Sequence, residues 1–156
     1  MTKIKLDDID RKIIGELQRN CRLTSQELAD RVGLSASPCA RRVRILEENG
    51  AIKGYVAVID QAKVGLPVNV FASVKLERQR EEELDTFSHA IAQWPEVADC
   101  YLMTGQRDYL LRIVVRDLEA YERFLKEKLT RLTCIASIES SFALGEVKRS
   151  YVSRTE

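Results

Sequence analysis

The stretch from Leu23 to Pro38 restricts this chain more than any other part of it. Thr24-Ser25-Gln26-Glu27 has the form of a capping box, with Thr24 as N-cap and Glu27 at the third helical position. Leu23 and Leu28 stand where a hydrophobic staple would hold the chain's entry. Gly33 suits the left-handed position that stops a helix. A new helix restarts at once: Ser35 and Ser37 are N-cap types, and Pro38 sits in a first turn, where its missing N–H costs little. Two helices separated only by Gly33-Leu34-Ser35 must cross steeply, which is the helix-turn-helix pattern. Upstream, Asp7 is an N-cap type, and Ile9, Ile13, Ile14 and Leu17 give a first helix one apolar stripe.

The third helix runs to about Asn49, where Asn49-Gly50 ends it. At about 100° per residue, Ala36, Cys39, Ala40, Val43, Leu46 and Glu47 fall within about 60° of Val43 and are expected to face inward. Arg41 points away from that arc, with Ser37 on its side, and Arg42 and Arg44 flank it. Glu47 and Glu48 come only in the last turn, so the first two-thirds of the outer face is cationic. That polarity suits a recognition helix, whose N-terminal residues meet base edges. Arginine grips guanine O6 and N7, and hydroxyl or guanidinium groups also bind phosphate. We assign Ser37 and Arg41 to bases, Arg42 and Arg44 to phosphates, and Thr24, Ser25 and Gln26 to phosphates at the start of the second helix. Ser35 and Pro38 belong to the same DNA-facing set. The alternative is a solvated face in which the arginines pair with Glu47 and Glu48.

Composition neither demands nor forbids this reading. Net charge over the 156 residues is +1, with residues 1–60 at +2 and the remainder at −1. No apolar run approaches the roughly 20 residues of a membrane span, and the N-terminus lacks a signal peptide's apolar core, so a cytoplasmic protein is expected. Cys21, Cys39, Cys100 and Cys134 are scattered, with one histidine, His89, so no metal site is expected. Cys39 and Cys100 are the candidates for a redox-sensitive thiol. No convergent nucleophile and base and no glycine-rich phosphate loop argue for an enzyme. RNA stacking is disfavoured because Phe71 stands without an aromatic cluster.

Residues 51–66 are expected to form a linker strand. Ile52, Val56 and Val58 alternate with Tyr55, Ala57 and Ile59, so both faces are apolar and a partner is needed. From residue 67 onward the periodicities predict strand 68–76, helix 79–94, strand 97–104, strand 109–116, a helix capped by Asp117 and carrying Leu118, Tyr121, Leu125, Leu129 and Leu132, and strand 135–144. This βαββαβ order is ferredoxin-like, so the fold class is α+β: helix-turn-helix domain 1–50, linker 51–66 and ferredoxin-like domain 67–156. Both helices should cover one sheet face and leave the other free to become an interface in a homodimer.

The first half resembles the DNA-binding half of the Lrp/AsnC, or feast/famine, regulators. The resemblance runs through Leu6, Asp10, Leu17, Gln18, Arg22, Glu27, Leu28, Gly33-Leu34-Ser35, Ser37-Pro38-Cys39, Arg42, Leu46-Glu47, Gly50, Ile52 and Tyr55. YLMTGQRDYLLRIVV and SSFALGEVK resemble the same family's effector and assembly domain, called RAM. The resemblance implies a transcriptional regulator that binds double-stranded DNA, takes an amino-acid effector and no other cofactor, and assembles from dimers to octamers. It assigns the effector pocket to Leu102, Thr104, Gly105, Asp108, Tyr109, Leu118, Ser141, Phe142 and Ala143. Asp108 would offer a carboxylate to an α-ammonium group, and Gly105 would let backbone N–H groups approach an α-carboxylate. From the residues alone, a plain hairpin turn is the preferred reading of Gly105 and Asp108. Some family members carry a bulkier residue at Ser141, so a cysteine or an aliphatic amino acid stay open as ligands.

Overall fold

The computed structural model describes residues 5–150. It divides into two compact units, one over residues 5–58 together with 147–150 and one over Ile59–Glu146.

The first unit holds α1 (Asp8–Arg19), α2 (Ser25–Val32) and α3 (Ala36–Glu48). Asp7 and Asp10 form a capping box at α1, and Thr24 and Glu27 form the expected one at α2. Gly33 closes α2 at φ 78°, left-handed backbone that a side chain would strain. The core between the three helices is Ile13, Ile14, Leu28, Ala29, Val32, Cys39 and Leu46, with Leu23, Val43 and Ile52 packed around it. Ala40 and Glu47, expected inside, are exposed, so the buried arc of α3 is narrower than the wheel implies.

The second unit is β1 (Val68–Leu76), α4 (Glu81–Ala92), β2 (Val97–Leu102), β3 (Tyr109–Val115), α5 (Leu118–Glu127), a 3-10 turn (Leu129–Arg131) and β4 (Ile135–Phe142). The sheet order is β2-β3-β1-β4, antiparallel throughout, as βαββαβ topology requires. Val70, Ala72, Val74 and Leu76 alternate into a core with Phe87, Ile91, Leu111, Ile113, Tyr121, Phe124 and Leu129. Three acidic residues in the first turn of α4 oppose its positive end. The helix expected through Leu132 stops at Glu127. Thr130 Oγ1 donates to the carbonyls of Leu125 and Lys126 at 2.9 and 3.3 Å, satisfying groups that a longer helix would have bonded.

One further expectation is not met among the described residues. Residues 51–66 contain no strand: Ala51 and Ile52 join the first core, and Asp60–Gly65 is a turn. A ladder needs a second strand, and no described residue pairs with this segment as one. The uncovered sheet face exposes Phe71 and Tyr101 beside charged groups. Among its exposed or half-buried groups, Arg112 pairs with Asp99 and donates to Asn69, and Arg107 pairs with Glu139 at 2.8 Å.

Candidate DNA-reading helix and effector pocket

The outer side of α3 carries Ser37, Pro38 and Arg41, all exposed. With Asp10, Arg42 and Ile45 they line a shallow hollow of about 470 Å3. No ion pair among the described residues engages Arg41. Arg44 lies 3.5 Å from Glu48, both about two-thirds exposed, a contact too weak to withhold it from phosphate. Ser35 is the N-cap of α3 without a side-chain cap bond, so its hydroxyl is not spent on the helix.

Arg42 behaves differently. Its Nη1 reaches Asp7 at 2.7 Å and Asp10 at 2.8 Å, tying α3 to the capped start of α1. The hydrogen bond from the Asp10 N–H, reinforced by Arg42, holds the Asp7 carboxyl below its ordinary range. This Nη1 therefore serves the protein's own packing, while Nε and Nη2 have no ion-pair partner among the described residues. Thr24 and Gln26 also bond within the protein, Thr24 to Glu27 and Gln26 Nε2 to Asp30 at 2.8 Å. Ser25 stays exposed, and the first-turn N–H groups of α2 have no partner within the helix.

Cys39 is fully buried, and burial raises its thiol pKa, so it is withdrawn as a redox candidate. Cys100 is exposed, but partial burial raises its thiol too.

A test separates the two roles of Arg42. Arg42→Ala is expected to lower both the melting temperature and DNA affinity without changing the salt slope of binding. A lost phosphate contact would instead reduce that slope by about 0.9. Asp10→Ala should also weaken DNA binding, although removal of a negative charge alone would strengthen it. Fluorescence anisotropy across a salt series distinguishes these outcomes. Because the Asp7 pKa is depressed on folding, its contribution is present at neutral pH and is lost as pH falls through that depressed value.

The nine effector residues do not converge within one chain. Phe142 lies opposite Val70, whereas Tyr109 lies opposite Val74, four residues or about 13 Å along β1. Leu118, Phe142 and Ala143 line an open pocket of about 690 Å3 with Pro67, Tyr121 and Leu125. Leu102, Thr104, Gly105 and Asp108 sit at the opposite end of the sheet. Leu118 is 63% exposed, not part of the core stripe. Ser141 faces away from the helices, because it pairs with Phe71; Ser140 is the serine on the pocket. Its hydroxyl lies 2.6 Å from that of Tyr121. Sequence reasoning missed both, although strict strand alternation would have separated Ser140 from Ser141.

Two more assignments change. Tyr109 is buried and stacks on Phe87, with ring centroids 4.3 Å apart, so it is a core residue. Asp108 is 4% exposed. Its carboxylate accepts from the Leu76 N–H at 2.7 Å and from Gln79 Nε2 at 2.5 Å. Each oxygen thus serves one donor of the protein itself, and burial limits an ammonium group's access to the remaining lone pairs. Gly105 is exposed and has φ 110°, backbone that favours glycine.

A helix-turn-helix with an exposed arginine on its outer face, followed by an α+β unit with an open pocket, defines a DNA-binding regulator with a ligand-binding half. Residues 6–53 match the winged helix-turn-helix DNA-binding model, and residues 69–153 match the Lrp/AsnC ligand binding domain. The chain is 46% identical over 143 residues to the Bkd operon transcriptional regulator of Pseudomonas aeruginosa, covering 92% of this chain and 94% of that protein. It is 38% identical to the leucine-responsive regulatory protein of Rhizobium meliloti, covering 95% of each. A crystal structure of a transcriptional regulator from Neisseria meningitidis in complex with L-Met superposes with a TM-score of 0.88 at 37% identity, covering 94% of each chain. The protein belongs to the Lrp/AsnC family of transcriptional regulators.

Among the described residues, no helix is long and apolar enough to cross a membrane, and no group of three or more His, Cys, Asp or Glu residues could hold a metal ion.

Proposed function

We propose that this regulator binds double-stranded DNA in the cytoplasm as a homodimer, assembles to higher order, up to an octamer, and responds to a free amino acid without catalysing any reaction. The observation that carries the effector part is the separation of Leu118, Phe142 and Ala143 from Leu102, Thr104 and Gly105 by the length of a strand. A ligand as small as an amino acid cannot touch both sets in one chain. A neighbouring copy can bring one set to the other, which couples ligand binding to assembly. The Neisseria relative's complex with L-Met supports an amino acid as the ligand class.

Exposed apolar residues favour self-association. Tyr55, Val56, Val58 and Ile59 are each 47–77% exposed. A second copy of that segment could cover these side chains, and a two-fold pair suits a palindromic operator.

The experiment is a melting-temperature screen of the full chain against the twenty amino acids, paired with light scattering. A stabilising amino acid should raise the melting point, by about 2.7 kcal/mol of stability at one hundred times its dissociation constant, and should shift the oligomer mass. A monomer at micromolar concentration with every amino acid would overturn the assembly reading. Stabilisation without any change in mass or DNA affinity would overturn the coupling.

A further inference from the structure

Ser37, Arg41 and Ile45 follow one another at four-residue spacing, so they form a single ridge along the outer side of α3. All three are exposed and line the same hollow. Ile45 is 44% exposed and lies outside the buried core of its unit. On the wheel it stands about 40° from Arg41, on the side of the helix opposite Val43. A branched apolar residue is a poor choice for a solvated helix face, since it gives less helix propensity than the charged residues around it. The next position on the ridge is Asn49, where the helix ends, and Glu47 and Glu48 make the last turn acidic, so the ridge cannot continue along DNA.

The major groove offers one apolar feature, the 5-methyl group of thymine. We propose that Ile45 is a specificity-determining residue that packs against a thymine methyl. It lies one helical turn, about 6 Å, beyond the residue that reads guanine, Arg41. With base pairs about 3.4 Å apart, each half-site then carries a thymine about two steps from the guanine. This inference rests on the DNA-reading role of α3 and adds the chemistry of one base to it.

The test uses a duplex selected by the wild-type protein from a randomised pool. Each thymine is replaced in turn by deoxyuridine, which removes only the methyl group. Wild type should lose about fourfold in affinity at one thymine per half-site, the effect of one buried methyl. Ile45→Ala should bind the unmodified duplex about as weakly and be indifferent to uracil at that position. A flat uracil scan with wild-type protein overturns the proposal. So does an Ile45→Ala protein that still discriminates thymine from uracil, or one that weakens binding equally on every duplex because the residue only packs within the protein. Arg41→Ala in the same series separates the levels: if it binds like wild type, α3 does not read DNA at all. If it binds weakly while the uracil scan is flat, only the role of Ile45 falls.

Discussion

Arg41→Ala is expected to weaken binding to the selected operator by 1–3 kcal/mol, roughly 5- to 150-fold, and to relax the preference at one base pair. The size follows from what the side chain has to offer. Its guanidinium is exposed and no carboxylate among the described residues competes for it, so the fork is available to two acceptors on one guanine. The melting temperature should hardly move, because the residue contributes to no core. Arg44→Ala provides the contrast. It should weaken binding to every sequence about equally and reduce the salt slope, as loss of a phosphate contact does. Affinities on the operator and on a scrambled duplex, each across a salt series, check both. An Arg41→Ala protein with unchanged base preference would mean that another surface reads DNA.

The distinction between Arg41 and Arg42 marks where sequence reasoning runs out in this half of the chain. Caps and turn were legible because they depend on neighbours in sequence: Thr24 with Glu27, Gly33 at the helix end, Asp7 before the first apolar stripe. The inward side of α3 was legible at Cys39 and Leu46, where helical period decides. The partners of Arg42 lie 32 and 35 positions away, and no local pattern reports them. A helix wheel assigns a direction to a side chain but not a neighbour. Ile45 was passed over for a different reason: an apolar residue among charges looks incidental until the exposed ridge it shares with Arg41 is seen.

In the second unit the order of elements was readable from alternation and helical period, since each strand buries one face against two helices. The ends were less so, because they depend on groups such as Thr130 that cap from outside the repeating pattern. Residues 51–66 show the limit most clearly. Two apolar faces signal a strand that must be covered, and among the described residues no strand pairs with it, so the pattern described a need that local sequence cannot show being met. The effector set has the same character. Its residues follow the family pattern along the sequence, yet β1 holds Phe142 and Tyr109 about 13 Å apart. Sequence motifs do not record which copy of the chain contributes each residue.

Asp108→Ala is expected to destabilise the second unit by about 2 kcal/mol and lower its melting temperature by roughly 10 °C. The buried carboxylate bonds the Leu76 N–H at the end of β1 and the Gln79 side chain beyond it, while its own backbone bonds Val74 and Met103. Truncation strands the Leu76 N–H in a place water does not reach, and that desolvation is the main part of the cost. The loop carrying Thr104 and Gly105 then loses the group that pins it to the end of β1. Any amino-acid response should disappear with it, but through lost positioning, not through a missing ammonium contact. Gln79→Ala tells the two apart. It leaves the carboxylate and the Leu76 bond in place and removes one donor, so it should reproduce a smaller part of the melting shift and weaken the amino-acid response in proportion. If Gln79→Ala melts lower yet responds to the amino acid with wild-type affinity, while Asp108→Asn melts near wild type and does not respond at all, then the carboxylate touches the ligand directly and its burial in the single chain is relieved when copies assemble.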